Sequence, residues 1–248
     1  MKLPYISDGG YGAGAHPAIG VVVLSTDETL EPELKQISTE NGTSLYHSRI
    51  PFDPNVTPET LAKMEENLPA STALFPARVK FKAIGYGCTS GATVIGSNRI
   101  AAIIKKQFPD THVTDPIAAV IAACNALGVK RLGMVTPYRQ DVSTAMINLL
   151  EKNGIRISEF ASFEEELDHK VARISEASTF DAAMQVGAGD CDAVFTSCTN
   201  LRSFDMIDAA ETALGKPVIS SNSAFAWHLH RLAGITGQIS GPGKLFKL

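Results

Sequence analysis

The chain has little that would tie it to nucleic acid, a membrane or an oxidising compartment. Its 22 Lys and Arg residues are outnumbered by 26 Asp and Glu, so the cationic excess that a phosphate backbone recruits is missing. No apolar run approaches the roughly 20 residues that cross a bilayer, and the first residues lack the basic segment and apolar stretch of a secretory leader. A cytoplasmic location without membrane or nucleic-acid partners is therefore expected. Cysteine is scarce, at four residues, and no Cys-x-x-Cys pair offers a zinc site, so free thiols are expected. The histidines share no ligand spacing: His228 and His230 are two apart on a predicted helix and face different ways, and His16, His47, His112 and His169 are scattered. No metal site is predicted. A GxSxG elbow, a GxxxxGK[ST] loop and a GxGxxG turn between strand and helix are all missing, which disfavours nucleotide and hydride chemistry. The Gly-rich stretch Asp8–Gly14 precedes the first predicted strand instead of following it, so it reads as an arm or loop and not as a phosphate cradle.

What is present is alternation. With 248 residues, 44% of them apolar, the chain can bury a substantial core in one large or two small domains. Strands are predicted at Ile19–Leu24, Ser44–Ile50, Phe81–Tyr86 and His112–Thr114. Helices are predicted at Leu30–Ile37, Pro58–Leu68 and Ser90–Phe108. The grammar then restarts, with strands at Leu132–Thr136, Arg156–Phe160, Ala193–Thr196 and Val218–Ile219. Its helices fall at Ile117–Leu127, Val142–Lys152, Phe180–Gly187 and Ala224–Leu232. Such alternation specifies an α/β fold with parallel sheets covered by helices. Gly20 and Gly133 sit in comparable strands, 68 and 65 residues before Cys88 and Cys198. We therefore expect two Rossmann-like halves, residues 1–115 completed by 220–248, and residues 116–219, with the last helix packing back on the first half.

The two cysteines carry the chemistry. Each follows an apolar strand and precedes small polar residues, as Gly87-Cys88-Thr89-Ser90 and Ser197-Cys198-Thr199-Asn200. In parallel sheets, ligands bind at the carboxyl ends of the strands. The loops Ser25–Glu28, Cys88–Ser90, Thr136–Tyr138 and Cys198–Asn200 should thus converge, with the thiols facing each other across a cleft. A cysteine ahead of a helix N-terminus is expected to have a lowered pKa and an accessible thiolate. Thr89, Ser90, Thr199 and Asn200 read as donor cradles for a carboxylate, and the Tyr138 phenol as a donor to a carboxylate or enolate. Cys124, inside an Ala-rich helix, and Cys191, between two aspartates, read as structural.

With strand-Cys-Thr in both halves, the chain resembles the aspartate/glutamate racemase superfamily. It is most similar to the branch holding maleate cis-trans isomerase, arylmalonate decarboxylase and the ectoine-utilisation racemase-like proteins. The likeness runs from about Ile19 to Ala233 and rests on Gly20–Glu31, Gly87–Gly91, Val135–Tyr138, Thr196–Leu201 and Gly215–Ser221. It implies pseudo-twofold halves, no cofactor, and a small carboxylate held between Cys88 and Cys198, with self-association into a homo-oligomer. In the racemases one thiolate removes an α-proton and the opposite thiol protonates the other face. In the isomerases the thiol matching Cys88 adds to the double bond and the one matching Cys198 handles the proton. The decarboxylase has glycine at the first position, so the presence of both thiols makes decarboxylation the least supported activity. One departure stands out. Where the isomerases carry Ser-Ser-Asn, this chain has Ser25-Thr26-Asp27-Glu28. An ionised Asp27 only accepts hydrogen bonds and repels a second carboxylate, so it suits an ammonium or amide group on the substrate; the alternative is a helix cap. The expected activity is that of a cofactor-independent racemase or isomerase of a small carboxylic acid, an amino-acid derivative among the candidates.

Overall fold

The computed structural model describes residues 1–5, 16–53, 56–165 and 167–248; the segment Asp8–Gly14 lies outside them. The first half of the chain contains β1 (Ala18–Leu24), α1 (Leu30–Glu40), β2 (Ser44–Ile50), α2 (Pro58–Thr72), β3 (Phe81–Gly87), α3 (Thr89–Ile95), α4 (Ser97–Lys105), β4 (His112–Thr114) and α5 (Pro116–Leu127). The second contains β5 (Arg131–Thr136), α6 (Gln140–Lys152), β6 (Arg156–Ser162), α7 (Asp168–Val171), α8 (Glu176–Gly187), β7 (Ala193–Thr196), α9 (Ile207–Leu214), β8 (Val218–Ser220) and α10 (Ser221–Leu232). Two four-stranded sheets result, ordered β2-β1-β3-β4 and β6-β5-β7-β8, and every pairing within them is parallel. The orders superpose when β1 is matched with β5 and β3 with β7, so the sequence repeat is a repeat of topology.

The central strands explain themselves. Every residue of β1 is buried, as a parallel strand covered by helices on both faces requires. Ile19, Val21, Val22 and Val23 are fully inaccessible, each side chain contributing roughly 1.5–3 kcal/mol by leaving water. Helix starts are written locally. The Asp115 carboxylate accepts from the Ala118 N–H ahead of Pro116 at the start of α5, and Ser220 and Ser223 form a reciprocal capping box for α10.

Two features place the site. The single helix expected over Ser90–Phe108 is two, because Gly96 adopts φ +90° between α3 and α4, a conformation that removes it from the helical path. The short α3 can therefore point its first turn at the sheet ends independently of α4. The last helix, α10, leaves β8 yet packs on the first sheet. Phe225 rests on Gly85 of β3, where a Cβ would lie 2.2 Å from the ring, and Nδ1 of His228 pairs with the Thr114 hydroxyl at 2.8 Å. Among the described residues, no helix is long and apolar enough to cross a membrane.

Candidate active site

Cys88 and Cys198 lie just past the ends of the matched strands β3 and β7 and are only 3% and 5% exposed. Cys88 is the N-cap of α3. Its Sγ accepts from the Gly91 N–H at 3.2 Å and lies 3.6 Å from the Ser90 hydroxyl. The missing side chain of Gly91 leaves room for this, since a Cβ there would stand 2.6 Å from the Tyr86 hydroxyl and 3.0 Å from Cys88 Sγ. Cys198 is built differently. No helix follows it directly, α9 starting only at Ile207, and its Sγ accepts from the Asn200 N–H at 3.4 Å. Its backbone takes φ +116°, a strained conformation for any residue but glycine, and such strain collects at functional sites.

The four loops expected to converge do so, through contacts the sequence does not announce. The Ser221 hydroxyl, at the start of α10, accepts from the Cys198 N–H at 3.0 Å and from the Thr89 hydroxyl at 2.9 Å. One side chain thus clamps the two cysteine loops together. The Tyr138 phenol is buried beside these loops; burial first, then the neighbouring Cys198 and Cys88, hold its proton on, with Ser90 pulling the other way. The Thr199 hydroxyl reaches the Gly87 carbonyl at 3.5 Å. The Asn200 carboxamide is consumed within the protein: Oδ1 accepts from the Glu28 N–H at 2.9 Å, and Nδ2 donates to Asp168 at 3.0 Å (Oδ2) and 3.1 Å (the carbonyl). Asp168 also takes a 2.6 Å hydrogen bond from the Thr26 hydroxyl. Asp27, expected to face the substrate with a helix cap as the alternative, does cap the chain at the start of α1, its Oδ1 accepting from the Thr29 and Leu30 N–H groups at 2.8 Å each, while its Oδ2 is buried without a hydrogen-bond partner.

Ser221, Asp168 and Tyr86 were not among the residues expected at the site. The strand-end rule could have found the first two, because Ser221 follows β8 and Asp168 follows β6. Cys124, in α5, and Cys191, ahead of β7, are also buried in the core.

Burial dominates the electrostatics and overturns one expectation. The Cys88 thiol is pushed up to about 12, because its desolvation outweighs the hydrogen bonds from Ser90 and Gly91 that favour a thiolate. Cys198 is raised further by burial and by the Asp168 carboxylate, against the help of Tyr138 and Asn200. In this closed site both sulfurs are held as neutral thiols, not as ready thiolates. Burial likewise lifts Asp27 to about 6 and raises Asp168. The charged groups acting most strongly on the thiols are these two carboxylates, with no lysine or arginine among them.

Paired parallel half-sheets, each ending a matched strand in a buried cysteine, define a racemase-like α/β protein of the aspartate/glutamate racemase class. A sequence profile described as arylmalonate decarboxylase matches residues 98–246, and the chain belongs to that family. Among characterised relatives, the maleate isomerase of Nocardia farcinica is 26% identical over 239 residues, covering 92% of this chain and 95% of that protein. The arylmalonate decarboxylase of Bordetella bronchiseptica is 32% identical over 152 residues, covering 60% and 63%. The solved maleate isomerase Iso of Pseudomonas putida superposes with a TM-score of 0.85 at 22% identity, covering 93% of this chain and 98% of that one. A Nocardia farcinica maleate cis-trans isomerase variant with a covalently bound succinylcysteine intermediate gives 0.84 at 24% identity, covering 94% and 99%.

Proposed function

We propose that the protein is a cofactor-independent isomerase of a small carboxylic acid, with Cys88 and Cys198 as its paired reactive groups. The observation that carries this reading is the Ser221 hydroxyl, which accepts from the Cys198 N–H at 3.0 Å and from the Thr89 hydroxyl at 2.9 Å and so holds the two cysteine loops against each other, with Tyr138 a neighbour of both cysteines. In the proton-transfer form, one sulfur enters the reaction as thiolate and takes the proton from the carbon beside the carboxylate. The C–H electron pair passes into an enediolate, and the thiol opposite gives its own proton to the other face. The two sulfurs end with their protonation states exchanged. Because charge builds on an already anionic group, the Ser90 and Tyr138 hydroxyls and the turns after each cysteine supply the stabilisation. The N–H groups of Gly91 and Asn200 already point at the sulfurs and are placed to hold whichever one is the thiolate.

A covalent route is favoured by a specific observation on a relative, the succinylcysteine in the Nocardia farcinica isomerase. Here the Cys88 sulfur would bond to one alkene carbon, and the displaced π pair would pass into the neighbouring carboxylate. After rotation about the new single bond, cleavage of C–S would return the trans alkene. Proton NMR in D2O with aspartate enantiomers, maleate and arylmalonate separates the routes. Deuterium entering an α-position supports proton transfer, and maleate becoming fumarate, with a substrate-sized mass gain on Cys88, supports addition. Cys198→Ala should lower net interconversion by about 100-fold or more; near-wild-type turnover overturns the paired-thiol reading.

A further inference from the structure

The donor inventory of the site is lopsided. The second cysteine loop looks like a carboxylate cradle in sequence, yet its side-chain donors are already spent. Asn200 Nδ2 is held by Asp168, the Thr199 hydroxyl by the Gly87 carbonyl, and the Asn200 N–H by Cys198 Sγ. On the first loop the Thr89 hydroxyl is spent on Ser221. The Ser90 hydroxyl, 3.6 Å from Cys88 Sγ, and the Tyr138 hydroxyl, a neighbour of Cys198 and Ser90, are engaged only with the thiols and each other, so one carboxylate entering there can take over these donors. The two buried carboxylates at the site differ in the same way. Asp168 is satisfied by Thr26 and Asn200, but Asp27 has one oxygen fixed by the start of α1 and the other buried and unpartnered, with the Thr199 hydroxyl as its polar neighbour.

We propose that the free oxygen of Asp27 accepts an N–H group of the substrate, so that the site takes small carboxylates bearing an ammonium or amide nitrogen in preference to simple dicarboxylates. The inference rests on the reading that the substrate lies between the two thiols. The residues after Asp27 are tied to the second cysteine loop, the Glu28 N–H donating to Asn200 Oδ1 at 2.9 Å and the Thr29 hydroxyl to the Asn200 carbonyl at 3.1 Å, which sets the buried Asp27 carboxylate beside the loop that carries Cys198. A buried acceptor left without a donor costs stability that a ligand N–H recovers. A second substrate carboxylate would meet Asp27 and Asp168 as like charges. The upward displacement of Asp27 to about 6, caused first by burial, is that of a carboxylate lacking a cationic partner.

Matched ligand pairs test this by ligand-observed NMR and calorimetry, which need no turnover. Aspartate is compared with succinate, 2-aminobutyrate with butyrate, and N-acetyl-2-aminobutyrate with butyrate. The wild-type protein should bind at least one nitrogen-bearing ligand on the order of tenfold or more tightly than its nitrogen-free partner. In Asp27→Asn the amide oxygen still accepts from Thr29 and Leu30, while an NH2 replaces the free acceptor. The preference should then fall to about one or reverse toward succinate. A wild-type preference near one, no binding of any nitrogen-bearing ligand, or an unchanged preference in Asp27→Asn overturns the assignment. The same titrations on Cys198→Ala keep the two readings apart. Nitrogen selectivity that survives there, without deuterium exchange in the wild type, leaves Asp27 assigned and removes the isomerase. Exchange with equal affinity in Asp27→Asn does the reverse.

Discussion

At the residue scale, what a motif can announce is the identity of a reactive group, not its protonation. Cys88-Thr89 and Cys198-Thr199 are visible in the sequence, but the burial that pushes Cys88 up to about 12, and the Asp27 and Asp168 charges that add to it, come from parts of the chain far from the motif. Ser221 is the sharpest example. It sits 23 residues from Cys198 and 132 from Thr89, and its hydroxyl decides how the two loops meet. Ser221→Ala orphans the buried Cys198 N–H, which should cost about 1–3 kcal/mol in urea denaturation. It should also lower kcat by about tenfold or more, since each 1.4 kcal/mol lost from positioning the thiol is a factor of ten. Ser221→Thr, which keeps the oxygen, should recover part of both, and a wild-type kcat in the alanine variant would remove Ser221 from the site. Asp168 follows a strand end, but what makes it part of the site is tertiary: its partners Thr26 and Asn200 lie 142 and 32 residues away.

At the scale of elements, strands are the most legible, at the sheet edge as much as at its centre. The edge strands Ser44–Ile50 and His112–Thr114 and the buried Ala193–Thr196 are predicted to the residue, and β1 and β5 to within one. Helices are legible in kind but not in extent. The run Ser90–Phe108 has helix-forming composition throughout, and only the positive φ of Gly96 divides it, a backbone choice made because α3 must meet the sheet end while α4 follows its flank. Close approach between elements is equally silent. Gly85 lies unremarked in the predicted strand Phe81–Tyr86, yet its bare α-carbon is where α10 seats Phe225. Gly85→Ala puts a methyl against that ring and should destabilise the fold by about 1–3 kcal/mol. Because α10 also carries Ser221 and Asn222, activity should fall with it. Trimming the ring in a Gly85→Ala, Phe225→Leu double variant should return part of the stability in urea melts; strictly additive losses would mean that the two residues do not meet.

At the scale of the whole molecule, the two halves meet through charge as well as packing. Arg173 pairs with Glu28 at 2.8 Å across them, and a cleft of about 310 Å³ lies beside this pair, lined by Glu28, Glu33, Glu176, Arg202 and Asp205 among others. Glu33 of α1 faces this acidic lining and accepts from Nδ2 of Asn222 at 2.6 Å. Burial first, then the charges of Asp27 and Glu176, push it up to about 8 against the pull of that hydrogen bond. A carboxyl group that holds its proton more tightly when folded favours the folded state most below its unfolded pKa, near 4.5. That stability drains away as pH rises through the folded value. His228 and His230, pushed down by burial, act in the opposite sense, but their contribution is complete once pH exceeds the unfolded histidine value of about 6.5. Cys88 begins to count only near the unfolded thiol value of about 9. Between pH 6.5 and 8.5, therefore, Glu33 governs the slope, and the protein should lose on the order of 1–2 kcal/mol over that interval. Glu33→Gln keeps an acceptor for Asn222 without the titration, so its unfolding free energy should be nearly flat across the same range. A wild-type profile that is flat or rising, or a Glu33→Gln profile parallel to it, would show that Glu33 is already ionised at neutral pH and that the halves meet around a charged carboxylate.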